Sequence, residues 1–278
     1  MEAVADVSTV AAIEGPEAKT ATRGRGKTMT RRIALVVAGY VGLGAVWAFL
    51  SAYYFDTYIL PPPDEVLRYM WDLAVSGAAF TNFASSIGKI VAGFAFGTAI
   101  GTPIGLMMGR SQYWKNFWLR PVLTIGNIPG LCYAVFALIF FGLGAKGPIL
   151  AVTLVALPFV ALNVMEGVEG VDEKLVHMSK VYGRSSMDIT RSVFFPSVAP
   201  FLFAALRYGF AMAWKVEALT EVFGGRSGIG FMIRAEYNAF SVVGVLAWTG
   251  FFVIFMLIIE RLVLARLEQW VFAWRGEG

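Results

Sequence analysis

Four ionisable side chains lie inside a single apolar run. The segment APFLFAALRYGFAMAWKVEALTEVF, residues 199–223, contains Arg207, Lys215, Glu217 and Glu221. A charge at the depth of a membrane span costs at least about 2.5–3.5 kcal/mol on insertion scales, so such residues face a bundle interior or a water-filled cavity. Glu217 and Glu221 are four apart and share a helix face; in an ion-coupled transporter the pair would serve as a proton or sodium site. Lys215 is two residues from Glu217 and projects from a different side. Near mid-span it would attract or orient an anionic solute, with Trp214 as an apolar wall, or else join an ion pair between helices or between subunits. Glu221 reads either as an anchor at the outer rim or as a functional carboxylate. Arg207 is expected to snorkel inward.

Little else in the chain is built for bond chemistry. The one cysteine, Cys132, lies in an apolar run and can form no internal disulfide. The one histidine, His177, furnishes no His-based metal site or catalytic triad. There is no CxxC, no His pair and no GxxxxGK[ST] for nucleotide phosphates. No metal, no bound cofactor and no enzymatic activity is expected of this chain.

A second polar island is HMSKVYGRSSMDITRSVFFP, residues 177–196, between two apolar runs. Asp172 is placed to cap a short helix over 173–182, and Gly183 then suits the C′ position with positive φ. Ser185 or Ser186 opens a second short helix, with Asp188 three residues after Ser185 at capping-box spacing. Pro196 marks the turn into the next apolar run. Leu175, Met178, Val181 and Tyr182 form one apolar stripe; Ile189, Val193 and Phe194 form another. Such a loop is either an amphipathic elbow resting on lipid headgroups or a docking knob for a partner in the helix-in-groove mode.

The elements that must hold these groups are membrane helices. The 278 residues are 58% hydrophobic and only 15% charged, against about 25% charged in a soluble domain. On the ruler of about 20 apolar residues per crossing, six spans are expected, roughly 33–54, 83–108, 121–143, 148–168, 199–223 and 242–263. Residues 1–30 read as a disordered tail, 31–270 as the permeating domain and 271–278 as a second tail. Between the first two spans, Pro61–Pro63 end any incoming helix. Asp64 then serves as an N-cap for a short amphipathic helix on the membrane surface, with Val66, Tyr69, Met70 and Leu73 as its apolar stripe.

With both termini inside, sixteen Lys and Arg fall in inner segments and four in outer ones (Arg68, Lys146, Arg226 and Arg234). This is the positive-inside bias, and it places the 169–197 loop in the cytoplasm. The net charge of +4 implies no nucleic acid. Lys89, near the outer end of the second span, is expected to snorkel to the headgroups. Gly93, Gly97, Gly101 and Gly105 offer a close helix-packing face. Asn127 and Pro129 in GNIPG interrupt the third span, as either a packing kink or a flexible pathway-lining element.

The loop resembles that of permease subunits of binding-protein-dependent ABC importers, whose motif is E-A-A, three residues, G, nine residues, I, one residue, L-P. Here the sequence is His177-Met178-Ser179, three residues, Gly183, nine residues, Val193, one residue, Phe195-Pro196. Gly and Pro are kept, and His-Met-Ser replaces E-A-A. ILPPPDEV at 59–66, FASSIGKIVAGFAFGTAIGTPIGLMMG at 83–109, LRPVLTIGNIPGLCYAVFALIFFGLG at 119–144 and LTEVFGGRSGIGFMI at 219–233 look like the nitrate, sulfonate and taurine branch, over most of 33–270.

The resemblance implies an all-α bacterial inner-membrane protein of the type I importer permease architecture, with no catalysis of its own. His177, Met178, Ser179, Tyr182, Gly183, Arg184, Ser185 and Pro196 would form the coupling element seated on an ABC ATPase dimer, which uses ATP and Mg. Asn127, Pro129, Trp214, Lys215, Glu217 and Glu221 are the candidate pathway residues. A second permease copy, as a homodimer, and an extracytoplasmic binding protein are the other partners. The solute would be small and anionic: nitrate, a sulfonate, bicarbonate or an organic acid. The competing readings are an ion-coupled secondary transporter using Glu217 and Glu221, and a membrane scaffold.

Overall fold

The computed structural model describes residues 18–264 and residue 266, and among these the regular elements are all helical. Residues 1–17 and the expected tail 271–278 lie outside the described residues. Two compact units divide at Pro63.

The first unit holds α1 (Ala18–Tyr53), which already begins inside the segment expected to be a tail. Its apolar portion, Ala34–Tyr53, is long enough to cross a membrane. The chain after it folds back: Trp47 Nε1 donates to the Pro61 carbonyl at 3.1 Å and Ser51 Oγ to that of Leu60 at 2.9 Å.

The second unit starts at Asp64, one residue into α2 (Pro63–Val75). Pro63 occupies the first helical position, where its missing N–H leaves no bond unmade. Asp64 therefore lies inside the first turn and not at the cap, and pairs with Arg68 at 3.3 Å. The stripe Val66, Met70 and Leu73 turns onto protein, since Val66 is buried and Met70 and Leu73 pack on the main core. The expectation of a helix resting on lipid by that stripe is thus corrected.

Behind it come α3 (Ala78–Arg110), α4 (Gln112–Gly126), α5 (Gly130–Phe141) and α6 (Lys146–Glu169). The glycine face of α3 does what its spacing predicts. A methyl at Gly97 would stand 2.6 Å from the Ala156 Cβ, and one at Gly93 2.6 Å from the Ile149 carbonyl. Only the absence of a side chain lets the α3 and α6 backbones come this close. The third expected span is two helices, α4 and α5, bent by 90°. Asn127 caps α4 through its N–H to the Leu123 carbonyl, and Pro129, which has no N–H to continue the ladder, opens α5. The Tyr133 hydroxyl reaches back across the break to the Ile125 carbonyl.

The polar island holds α7 (Glu173–Val181) and α8 (Ser186–Ile189). A π-helical turn, 190–194, joins α8 to α9 (Phe195–Gly224) without interruption. The chain therefore does not turn at Pro196, as the sequence reading supposed. Phe195 N–H bonds the Thr190 carbonyl, five residues back. That widened turn accommodates a proline in the first turn of a continuing helix. α10 (Ile229–Asn238) and α11 (Val242–Ile258) follow, and α11 runs on into a π-helical stretch, Ile259–Leu264. The main core gathers Trp214, Trp248, Phe251, Phe255 and Ile90, with the Phe83 and Phe255 rings stacked at 4.1 Å.

Candidate functional site

The first candidate site is the loop between α6 and α9. Asp172 accepts from the Lys174 N–H at 2.8 Å, as expected of an N-cap. At the other end Gly183 has φ +71°. Its N–H bonds the Lys180 carbonyl and that of Arg184 bonds Ser179, which together make a Schellman motif. The chain then restarts at once. Ser185 Oγ accepts from the Asp188 N–H while the Asp188 carboxylate accepts from Ser185, a complete capping box. Two helices thus meet at one glycine, held by a Schellman motif on one side and a capping box on the other, which restrains the joint despite its exposure.

This element has two faces. Leu175, Met178, Val181 and Tyr182 are exposed, Val181 at 86% and Tyr182 at 80%. Glu173, Val176, His177 and Lys180 lie on the opposite side of α7 and line a cavity of about 550 Å³ with Arg110, Ser111 and Gln112. His177 therefore does not share the apolar face of Met178 and Tyr182. The second predicted stripe turns inward, with Ile189 buried and Val193 and Phe194 half-buried. Arg184 and Ser185 are exposed, and Ser179 bonds back to Leu175.

The second candidate site is the charged part of α9, and the helix splits its members. Phe201, Tyr208, Met212 and Lys215 recur on one exposed stripe. Trp214, Glu217 and Glu221 lie on the opposite, buried one, Trp214 and Glu217 each only 1% exposed. Trp214 stacks between Phe210 and Phe252, at 6.2 and 5.3 Å. It is a core residue and makes no wall beside Lys215.

Glu221 is the centre of a buried network. Lys89 Nζ donates to it at 2.5 Å and also to the Ser227 carbonyl at 2.6 Å. Ser86 Oγ donates to both carboxylate oxygens, and the Gly230 N–H adds another bond at 2.9 Å. Ser86 Oγ in turn accepts from the Ile229 N–H. The chain 225–229 wraps the carboxylate so closely that a Cβ at Gly228, where φ is +111°, would fall inside it. Glu217 lies beside Glu221, with one carboxyl oxygen left without a hydrogen-bond partner. Lys89 is consequently not a snorkelling residue, because a buried carboxylate holds it in the bundle. The Ser-Gly-Ile-Gly segment needs small residues for the same reason.

The α4–α5 break carries the remaining predicted residues. Asn127 and Pro129 are exposed. Asn127 shares a cavity of about 290 Å³ with Phe159, Asn163 and Glu166 of α6. Asn163 and Glu166 were not singled out from sequence. The signal was available, since both are polar and three apart at the end of an otherwise apolar run. Among the described residues, no three His, Cys, Asp or Glu side chains cluster as metal ligands.

The sequence matches the model of the family described as binding-protein-dependent transport system inner membrane component over residues 101–273. It is 31% identical over 193 residues to the aliphatic sulfonates transport permease protein SsuC of Escherichia coli (strain K12), covering 69% of this chain and 73% of that one. The taurine transport system permease protein TauC of the same organism is 25% identical over 256 residues, covering 90% and 92%. In solved structures, the fold is similar to that of the methionine ABC transporter MetNI in inward-facing form, with a TM-score of 0.57 at 20% identity, over 66% of this chain and 91% of that one.

Proposed function

The chain belongs to the family of binding-protein-dependent transport system inner membrane components, in its nitrate, sulfonate and taurine importer branch, and on that premise we propose that it builds the membrane pathway for a small anion and is driven through α7 by a separate ATPase dimer. The permease itself carries out no chemical step. Two copies would enclose the pathway, with both termini and α7 on the cytoplasmic side. A binding protein would deliver the solute to the other face. The relatives named for sulfonates, taurine and nitrate support a small anion as the solute, since each of these would present an oxyanion to a cationic side chain.

One observation carries the coupling role: the exposed apolar face of Leu175, Met178, Val181 and Tyr182 on a helix fixed at both ends. An apolar face left to solvent at the end of a structured loop marks a contact surface. Coupling needs an element that both ends can bias. A helix locked by a Schellman motif to a capping box transmits displacement, whereas a slack loop would absorb it.

For the solute path we assign the exposed stripe of Tyr208, Met212 and Lys215, together with the recess of Asn127, Asn163 and Glu166. Lys215 supplies the positive charge. Glu217 and Glu221 are assigned to the protein interior, because Glu221 already holds Lys89, Ser86 and Gly230. A carboxylate so occupied is a poor receptor for a passing ion.

The test is a single cysteine at Met178 in the complex co-expressed with its ATPase. Cross-linking to the ATPase subunit, lost when the cysteine is moved to the back face at Val176, is expected. A Met178 cysteine that reacts only with soluble reagents in the intact assembly would overturn the reading.

A further inference from the structure

Two neighbouring cavities lie where α7 meets the bundle, and they differ in character. The one behind α7 is polar, with Arg110, Ser111 and Gln112 at the α3–α4 joint and His177 and Lys180 from α7. The other, about 370 Å³, is a slot lined almost wholly by apolar side chains. Leu106 comes from α3, Val164 from α6, and Val198, Leu202 and Leu206 from α9. Arg110 and Phe194 line both cavities. The Arg110 guanidinium sits over the Phe194 ring, 5.5 Å from its centroid. That pair is the doorway between a charged chamber and an apolar slot.

The slot runs along the helices. Thr102, Leu106 and Arg110 follow at four-residue spacing on α3, and Val198, Leu202 and Leu206 do so on α9. At 1.5 Å per residue the α3 wall is about 12 Å long. The slot therefore extends from the charged end into the hydrocarbon depth of spans α3 and α9. It also lies on a different side of α6 from the recess of Asn163 and Glu166, since Val164 lies about a quarter-turn or more round the helix from both.

We propose that these two cavities form one site for an anionic phospholipid of the leaflet on the α7 side, with its phosphate at Arg110 and an acyl chain in the slot. Charge decides the headgroup. Of the two acids on the chamber wall, Glu169 is held by Lys115 at 2.7 Å. That leaves Arg110 and Lys180 facing Glu173, a cationic surplus. Basic pockets between spans on the cytoplasmic side are the kind that capture anionic lipid headgroups. A soluble anion would satisfy the chamber and leave the slot empty. An apolar polypeptide would fill the slot and leave the chamber cations without a counter-charge. A phosphate joined to a hydrocarbon chain satisfies both. The lipid would also brace α7 from behind, on the Val176 and Lys180 side, opposite the exposed docking face. The site itself stands whether or not that face binds an ATPase.

The test is native mass spectrometry of the intact complex, released from detergent after exposure to phosphatidylglycerol, phosphatidylcholine or inorganic phosphate. Phosphatidylglycerol is expected to remain bound, with phosphatidylcholine and inorganic phosphate unable to displace it. Arg110→Gln should lower retention about tenfold, Arg110→Lys should restore part of it, and Leu202→Trp, which fills the slot and leaves the charges in place, should lower it similarly. Displacement by inorganic phosphate would make this a soluble-anion site and overturn the proposal. Undiminished retention in both Arg110→Gln and Leu202→Trp would overturn it as well, as would a polypeptide segment found in the slot of the assembled complex.

Discussion

Lys89 of α3 and Glu221 of α9, 132 residues apart in the chain, meet at 2.5 Å inside the bundle, with side-chain exposures of 7% and 0%. The same carboxylate holds Ser86 and the Gly230 N–H, so one acid ties two spans to the turn that opens α10. Removing one member of a buried pair leaves the other charge uncompensated at a cost of about 3–5 kcal/mol. Lys89→Ala should therefore lower the melting temperature of the detergent-solubilised permease sharply. The double variant Lys89→Met with Glu221→Leu should recover much of the loss. Additive losses in the double variant would show that the two residues are not coupled.

Gly183 adopts φ +71° and donates its N–H to the Lys180 carbonyl. Proline satisfies neither condition, because its φ is fixed near −65° and it has no N–H. Gly183→Pro should abolish solute-stimulated ATPase activity in the reconstituted complex while membrane insertion persists. Gly183→Ala should cost only about 1–2 kcal/mol locally and retain partial coupling. Full coupling in the proline variant would refute the role of this joint.

Met178 is exposed and makes no core contact. A charge there should leave the permease as stable as before and weaken its partner contact. For Met178→Glu, the expected result is unchanged melting and at least about a tenfold loss of ATPase co-purification, equivalent to about 1.4 kcal/mol.

Lys215 and Trp214 are adjacent in sequence and opposite in role. Lys215→Met should slow uptake of a sulfonate in proteoliposomes by about tenfold with little change in melting. Trp214→Ala removes a buried ring from the core and should cost about 3–5 kcal/mol. Equal effects on stability would contradict the split between the two faces.

Tyr69 donates to Glu236 at 2.8 Å. Partial burial, with the hydrogen bond to that carboxylate, pushes the phenol from its usual 10.0 up to about 12. The folded protein thus keeps this proton more tightly than the unfolded chain does. The contribution to stability is complete below pH 10 and falls away between about pH 10 and 12. Melting temperatures across that window should decline more steeply for wild type than for Tyr69→Phe. Parallel curves would show that the bond carries no linkage.

The helical, membrane-spanning character was legible because hydrocarbon leaves few alternatives. A backbone in lipid must satisfy its own hydrogen bonds, so an apolar block of the right length is a helix. The joint around Gly183 was legible for a different reason. Caps act over three or four residues, so Asp172, Ser185, Asp188 and Gly183 carried their geometry in their spacing alone. The α3 glycine face could be read in the same way, though its partner α6 could not.

What the sequence by itself determined was therefore local: where the apolar blocks lie, the caps around Gly183, helix faces, and the motif that places the chain among importer permeases. Tertiary structure alone decided the pairings. Charge and hydropathy identify Lys89 as a cation near a span end, but only the approach of α9 turns it from the headgroups to Glu221. Lys215, Glu217 and Glu221 looked alike as charges in one apolar run; the neighbours of α9 sent Lys215 outward and both carboxylates inward. The physical reason is common to both. The energy of a charge in a membrane is set by what lies within a few ångströms, and for α9 that neighbourhood is built by α3, α5, α6 and α10, elements that sequence spacing does not bring together.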